Sequence, residues 1–152
     1  MVSFRSVRTK IKIPGFICHH VIPNQVTDAA PFAIFFGTMK SLGFFADDFC
    51  PNGIHLPRDE KTAVMTARPI HRGGHPVYNK MVAHHIAEIQ RLPPVEAHLA
   101  LTALVTNLRA GLRCSSISES SFIADAAQSA LQRDLETIGI LGSARILVSR
   151  LP

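Results

Sequence analysis

The sequence predicts an α+β fold: two short strands set among helices, with a helical lobe at the C-terminal end. Three observations predict it. Segments 16–22 and 54–56 carry the β-branched and apolar residues of brief strands and are closed by Pro23 and Pro57. Apolar residues recur at helical spacing over 76–92 and in two further stretches beyond it. Finally, 152 residues that are 47% hydrophobic and 18% charged suffice for one domain with a core. A disordered chain needs the opposite balance.

The elements follow in order. Met1 to Lys12 is basic, with Arg5, Arg8, Lys10 and Lys12. We expect it to be a frayed, solvated end, with non-specific tracking of a nucleic-acid backbone as the alternative. No long apolar segment follows it, so a cleavable secretory signal is not expected. No apolar run reaches the roughly 18–20 residues of a membrane span. Phe16 to Ile22 reads as a strand. A helix is expected from Pro31 to Leu42, stopped by Gly43. Asp47 to Gly53 is turn-rich: Asn52-Gly53 is a hairpin signal, and Asp47 and Asp48 are expected on a loop surface. Ile54 to Leu56 is the second strand, and 58–70 reads as a loop. After the break at Arg72-Gly73-Gly74, Pro76 suits the first position of a helix. Tyr78, Met81, Val82, His85, Ile89 and Leu92 stripe that helix up to Pro93-Pro94. Two more helices are striped by Val95, Leu99, Leu104, Val105, Leu108 and Leu112, and then by Phe122, Ala126, Ala130, Leu131, Leu135 and Ile138. Ile140 to Leu151 is ambiguous between helix and strand. The organisation expected is a body at 1–92 and a helical lobe at 93–152 packed on it, because Pro93-Pro94 is a short joint.

The net charge is +5, and its distribution is uneven. Residues 1–92 hold eleven Lys and Arg against six Asp and Glu, whereas residues 93–152 hold five of each. A basic body attracts polyanions, since bound phosphates release counterions. Cys18, Cys50 and Cys114 are too few and scattered for a disulfide framework, and no CxxC pair suggests a cysteine zinc knuckle. The eight histidines are more informative. His19 and His20 are adjacent on a strand and face opposite ways unless a bulge re-aims one. His71 and His75 are four apart, across Arg72-Gly73-Gly74. The glycines argue that His71 precedes the helix and His75 opens it. Convergence of such imidazoles on one ion is a familiar arrangement, and neutral imidazole suits zinc and other transition metals better than magnesium. The plainer alternative is that such histidines are structural or exposed. His55 and His98 are read as bystanders.

Three blocks in this order carry a resemblance: Phe16 to Pro23 with its His-His-Val-Ile-Pro ending, Asn52 to Pro57, and His71 to Asn79. Together they resemble the AHH family of nucleases, within the HNH/endonuclease VII superfamily. The likeness spans roughly residues 16–92. It implies a small ββα-metal, treble-clef-like core that hydrolyses phosphodiester bonds with one divalent metal ion (Mg, Mn, Zn or Ni). Residue by residue, it implies that His19 binds metal and that His20 is the general base that deprotonates the attacking water. Asn52 would hold the hairpin or orient His20. His71 and His75 would complete the site, as metal ligands or by positioning water and phosphate. The family's alanine before the histidine pair is Cys18 here. A literal Ala83-His84-His85 also occurs, but inside the expected helix, where neighbours diverge by about 100°. We read it as coincidence.

The chemistry is coherent: one divalent ion can neutralise a phosphate and stabilise a leaving oxygen, and a histidine can accept a proton near neutral pH. Arg72 is a candidate phosphate contact, since guanidinium binds phosphate bidentately. Its alternative is a solvated loop charge. Tyr78 and Asn79, one turn into the helix, are candidates for lining the site, with a core aromatic as the alternative for Tyr78. The expected substrate is DNA, with RNA second, and no membrane. The resemblance further implies a toxin module of a bacterial polymorphic toxin system, with a cognate immunity protein as partner. Such a chain would be made in the cytoplasm and delivered as an effector, a phage or mobile-element nuclease being the other setting. From a different class, the competing reading is a non-catalytic nucleic-acid- or protein-binding module on the same metal-stabilised fold. Retention of both His19 and His20 argues against it, because a structural site does not need the second.

Overall fold

Two strands sit at the centre of the molecule, and they are far apart in sequence. The computed structural model describes residues 2–71, 73 and 75–114. These form α1 (Phe4–Lys10), β1 (Phe16–His20), α2 (Asn24–Thr27), a 3-10 turn (Ala30–Phe32), α3 (Ala33–Ser41), α4 (Phe49–Asn52), β2 (Gly53–Pro57), α5 (Glu60–Thr66), α6 (Pro76–Ile89) and α7 (Pro94–Cys114). The strands pair antiparallel, with Phe16 opposite Pro57, His19 opposite Ile54 and His20 opposite Gly53. The class is therefore α+β, as the sequence predicts.

Strand alternation divides the packing in two. Ile54 and Leu56 of β2 point into the main core with Val21, Ile22, Phe35, Met39, Tyr78, Val82 and Ile86. Leu101, Leu104, Leu108 and Leu112 of α7 belong to the same core, so this helix packs directly on the body. Burial of each such side chain favours folding by about 1.5–3 kcal/mol. Cys18 belongs to a separate small cluster with Phe4 and Val7 of α1, against which Phe49 packs. The second helix expected in the lobe, from Phe122 to Ile138, and the stretch from Ile140 to Leu151 lie outside the described residues. Among the described residues, no helix is long and apolar enough to cross a membrane.

Four local expectations need correction. The basic N-terminus is a helix, not a frayed end: Ser3 Oγ accepts from Ser6 N at 3.2 Å, and Phe4 and Val7 are buried. A strongly basic stretch with only two apolar contacts hides its helical period. Residues 58–70 contain α5, started by Asp59, whose carboxylate accepts from Thr62 N at 2.8 Å. None of its residues is buried, so it leaves no hydrophobic stripe to read. Asn52-Gly53 is not a turn: Asn52 ends α4, and Gly53 starts β2 in extended conformation. Glycine is required there by packing, because a Cβ would collide with the Phe49 ring. Asp48, expected on a loop surface, is buried. Its carboxylate accepts from Val2 N at 2.9 Å and Cys50 N at 3.1 Å, pinning the N-terminus to the start of α4.

Candidate functional site

The site is built at the end of β1 that carries the histidine pair. Alternation along the strand places His19 and Cys18 on opposite faces, and His20 falls with Cys18, as the sequence predicts. On one face, His19 meets two histidines from much later in the chain. His71 is anchored by its backbone, whose N–H donates to Pro57 O at 2.7 Å, at the end of β2. His75 is the N-cap of α6, and Pro76 takes the first helical position. The ring centroids of His19 lie 4.9 Å from His71 and 5.6 Å from His75, and those of His71 and His75 are 4.8 Å apart. One nitrogen from each of the three rings lies within 4.8 Å of the others. Among the described residues this is the cluster of His, Cys, Asp or Glu with a spacing suited to a metal ion.

The protonation of the cluster follows from its burial. His19 is held down to about 3, first by loss of solvent and then by the positive charge that His71, His75 and His20 would carry. His75 is held down to about 4 by burial and then by His71. His71 is lowered by burial and then by Arg8. All three are therefore neutral at pH 7, the state in which an imidazole offers a lone pair. His71 Nδ1 and His75 Nε2 are 2.7 Å apart, a hydrogen-bonding distance in which the tautomers decide which nitrogen donates. His19 Nε2 is buried with no hydrogen-bond partner among the described residues. A polar atom costs free energy in that position unless something pairs with it. Three neutral imidazoles with a buried, unsatisfied nitrogen fit a divalent cation, and the nitrogen donors suit zinc or nickel better than magnesium or manganese.

The other face holds His20. Its ring stacks on Phe4 of α1, with centroids 3.4 Å apart and planes 18° from parallel. Burial is the main cause that lowers it, to about 4; Arg8 lowers it further, while Asp47 and Asp28 oppose the shift. At neutral pH His20 is a proton acceptor rather than a donor. Cys18, on the same face, lies 3.5 Å from His55 Nε2, and burial raises its thiol against the pull of Arg8. A thiol in that state is not a metal-binding thiolate.

Two residues brace the chain just past the histidine pair. Asn52 is fully buried. Its Oδ1 accepts from Ile22 N at 2.7 Å, and its Nδ2 donates to Ile22 O at 3.1 Å and Ala46 O at 2.9 Å. Its place is that of a clamp on the end of β1. Tyr78 is also fully buried, and its hydroxyl donates to Val21 O at 2.7 Å. Burial pushes that hydroxyl far above its usual range, so it stays protonated. Tyr78 is thus a brace packed 6.0 Å from the His19 ring, not an exposed contact for phosphate. Asn79 is half-buried, and its Nδ2 donates to Gln25 Oε1 at 3.4 Å, tying α6 to α2. Arg72 lies outside the described residues. The second histidine pair, His84 and His85, sits within α6 and is not part of the three-histidine cluster.

Sequence reasoning missed Phe4, which supplies the stacking surface for His20. Arg8, read there only as one charge of a basic tail, acts electrostatically on Cys18, His20 and His71. The signal available was the aromatic at position 4 with Val7 and Arg8 following at helical spacing, but the basic charges around it suggested a solvated tail.

A family model matches residues 5–101: AHH, a nuclease family of the HNH/ENDO VII superfamily with conserved AHH. No curated protein and no solved structure matches the chain.

Proposed function

The chain belongs to the AHH nuclease family of the HNH/ENDO VII superfamily, and from that premise we propose that it is a metal-dependent endonuclease whose site is the face and edge of β1. The observation that carries this reading is the cluster of three neutral histidines with the buried, unpartnered Nε2 of His19. His19, His71 and His75 would hold one divalent ion. Such an ion supplies charge neutralisation at the scissile phosphate and stabilisation of the leaving oxygen. His20 takes the proton of the attacking water. It enters the reaction neutral because burial and Arg8 keep it so. Asn52 and Tyr78 fix the strand end on which both histidines depend, so that the base keeps its angle to the ligand beside it. Arg72 is proposed as a phosphate contact, and Asn79 as a residue at the rim. DNA is the favoured substrate, with RNA second.

The test is cleavage of plasmid and of RNA by purified protein with Mg²⁺, Mn²⁺, Zn²⁺ or Ni²⁺, beside an EDTA control and His20→Ala. Metal-dependent cutting that the variant loses is the expected result. A folded protein that cuts neither substrate in any metal would overturn the proposal and leave a binding module.

The biological setting we propose is a bacterial toxin or effector, made in the cytoplasm, delivered to a target cell and neutralised at home by an immunity protein. Expression of the chain should stop growth of a host that lacks the partner, and His20→Ala should relieve the arrest. Equal growth of both would count against this setting.

A further inference from the structure

The N-terminal helix is not needed to complete the main core, yet it is docked with care. Val2 N is held by Asp48, Phe49 N donates to Val2 O at 2.7 Å, and Ser3 bridges to Asp48. Val7 is 1% exposed. The docking lays Phe4 on the His20 ring. Arg8 is one turn further along, on the same side of the helix as Phe4, and it is exposed. None of the described carboxylates is in ion-pair contact with it. The Phe4 stack brings this side of α1 to the end of β1 that carries His20. A guanidinium with no ion-pair partner among the described residues, one turn from the ring that covers His20, attracts anions. Guanidinium also matches the paired oxygens of a phosphate.

We propose that α1 is a substrate-holding arm, and that Arg8 grips a backbone phosphate of the bound nucleic acid beside His20. The proposal rests on the nuclease reading for its purpose, but it is tested by binding alone. Arg5, exposed three residues earlier, extends the same basic face. Such contacts position the strand without reading its sequence.

The experiment is fluorescence anisotropy of a short labelled DNA duplex, with an RNA of equal length as a second arm, titrated with the full chain in EDTA at several salt concentrations. Arg8→Ala should bind about tenfold more weakly or worse at low salt, and its log–log salt slope should fall by about 1. Arg8→Lys should retain part of the affinity. Lys40→Ala, on α3, serves as the charge-matched control and should leave binding close to the parent. The midpoint of thermal unfolding of Arg8→Ala should stay within about 2 °C of the parent, since Arg8 is exposed. If it does not, Arg8→Gln replaces it. Binding within about twofold of the parent, with an unchanged salt slope, would overturn the proposal. If the parent binds but cuts nothing, the nuclease reading fails and the role of Arg8 is still decided by these curves.

Discussion

The two faces of β1 use the same residue type to opposite ends. On the inner face His19 is 7% exposed, surrounded by His71, His75 and Tyr78, and its nitrogen has no described partner. On the outer face His20 is half-buried, covered by one aromatic ring and bordered by both Arg8 and Asp47. Adjacent positions in a strand thus give one histidine a dry cage of neutral nitrogens and the other a mixed, adjustable field. The lesson is that alternation separates tasks that a helix would place about 100° apart. The proposed ligand needs a fixed lone pair, and the proposed base needs access to water.

Substituting each histidine in turn is the strongest way to break this comparison. His19→Ala should abolish both metal retention and cutting. His20→Ala should keep the metal while the cleavage rate falls by about 10²–10⁴. Metal content measured by mass spectrometry beside cleavage rates separates the two. Equal metal loss in both variants would mean that the faces are not distinct.

The braces come next. Asn52→Ala removes two buried hydrogen bonds and one part-buried one, and leaves Ile22 N and Ile22 O without their partner. A loss of about 2–4 kcal/mol in denaturant unfolding is expected. Acid should act on the inner face more than the outer. His19 and His75 are lowered from 6.5 to about 3 and about 4. A folded state with depressed histidines binds fewer protons than the unfolded chain, so its stability is complete above about pH 6.5 and falls as pH drops through the folded values. Metal-free protein followed by circular dichroism should lose thermal stability progressively below about pH 6, and His19→Gln should flatten that fall. Tyr78→Phe carries the smallest expected effect. It leaves Val21 O without the tyrosine hydroxyl, for a cost of about 1–2 kcal/mol with the fold retained.

The amount legible in the sequence follows the same division. His19, His20, His71 and His75 form short local patterns, and the glycines correctly implied that His75 opens a helix. The main helices α3, α6 and α7 are present, but the stripe of α7 is only partly right: Leu104, Val105, Leu108 and Leu112 are buried, whereas Val95 and Leu99 are exposed and Ala97 and Leu101 are buried in the first turns instead. What stayed hidden depends on partners distant in sequence. Nothing near Phe4 announces His20, and nothing near Asp48 announces Val2. α5 buries no residue and so carries no period. Tyr78 sat at the right spacing for either role, and only its bond to Val21 O decides in favour of a brace.

The separation of the two strands has a consequence for how the protein forms. β1 ends at His20 and β2 starts at Gly53, with α2, α3 and α4 between them. Pairing them closes a long loop, and the entropy of that closure must be met before any ladder contact repays it. Contacts within α6 and α7, and between these neighbours, need no such closure. Helices are therefore expected to precede the sheet, with the histidines meeting last. A chain halted before closure would keep much of its helical content and none of its chemistry, which separates the moment of gaining structure from the moment of gaining activity.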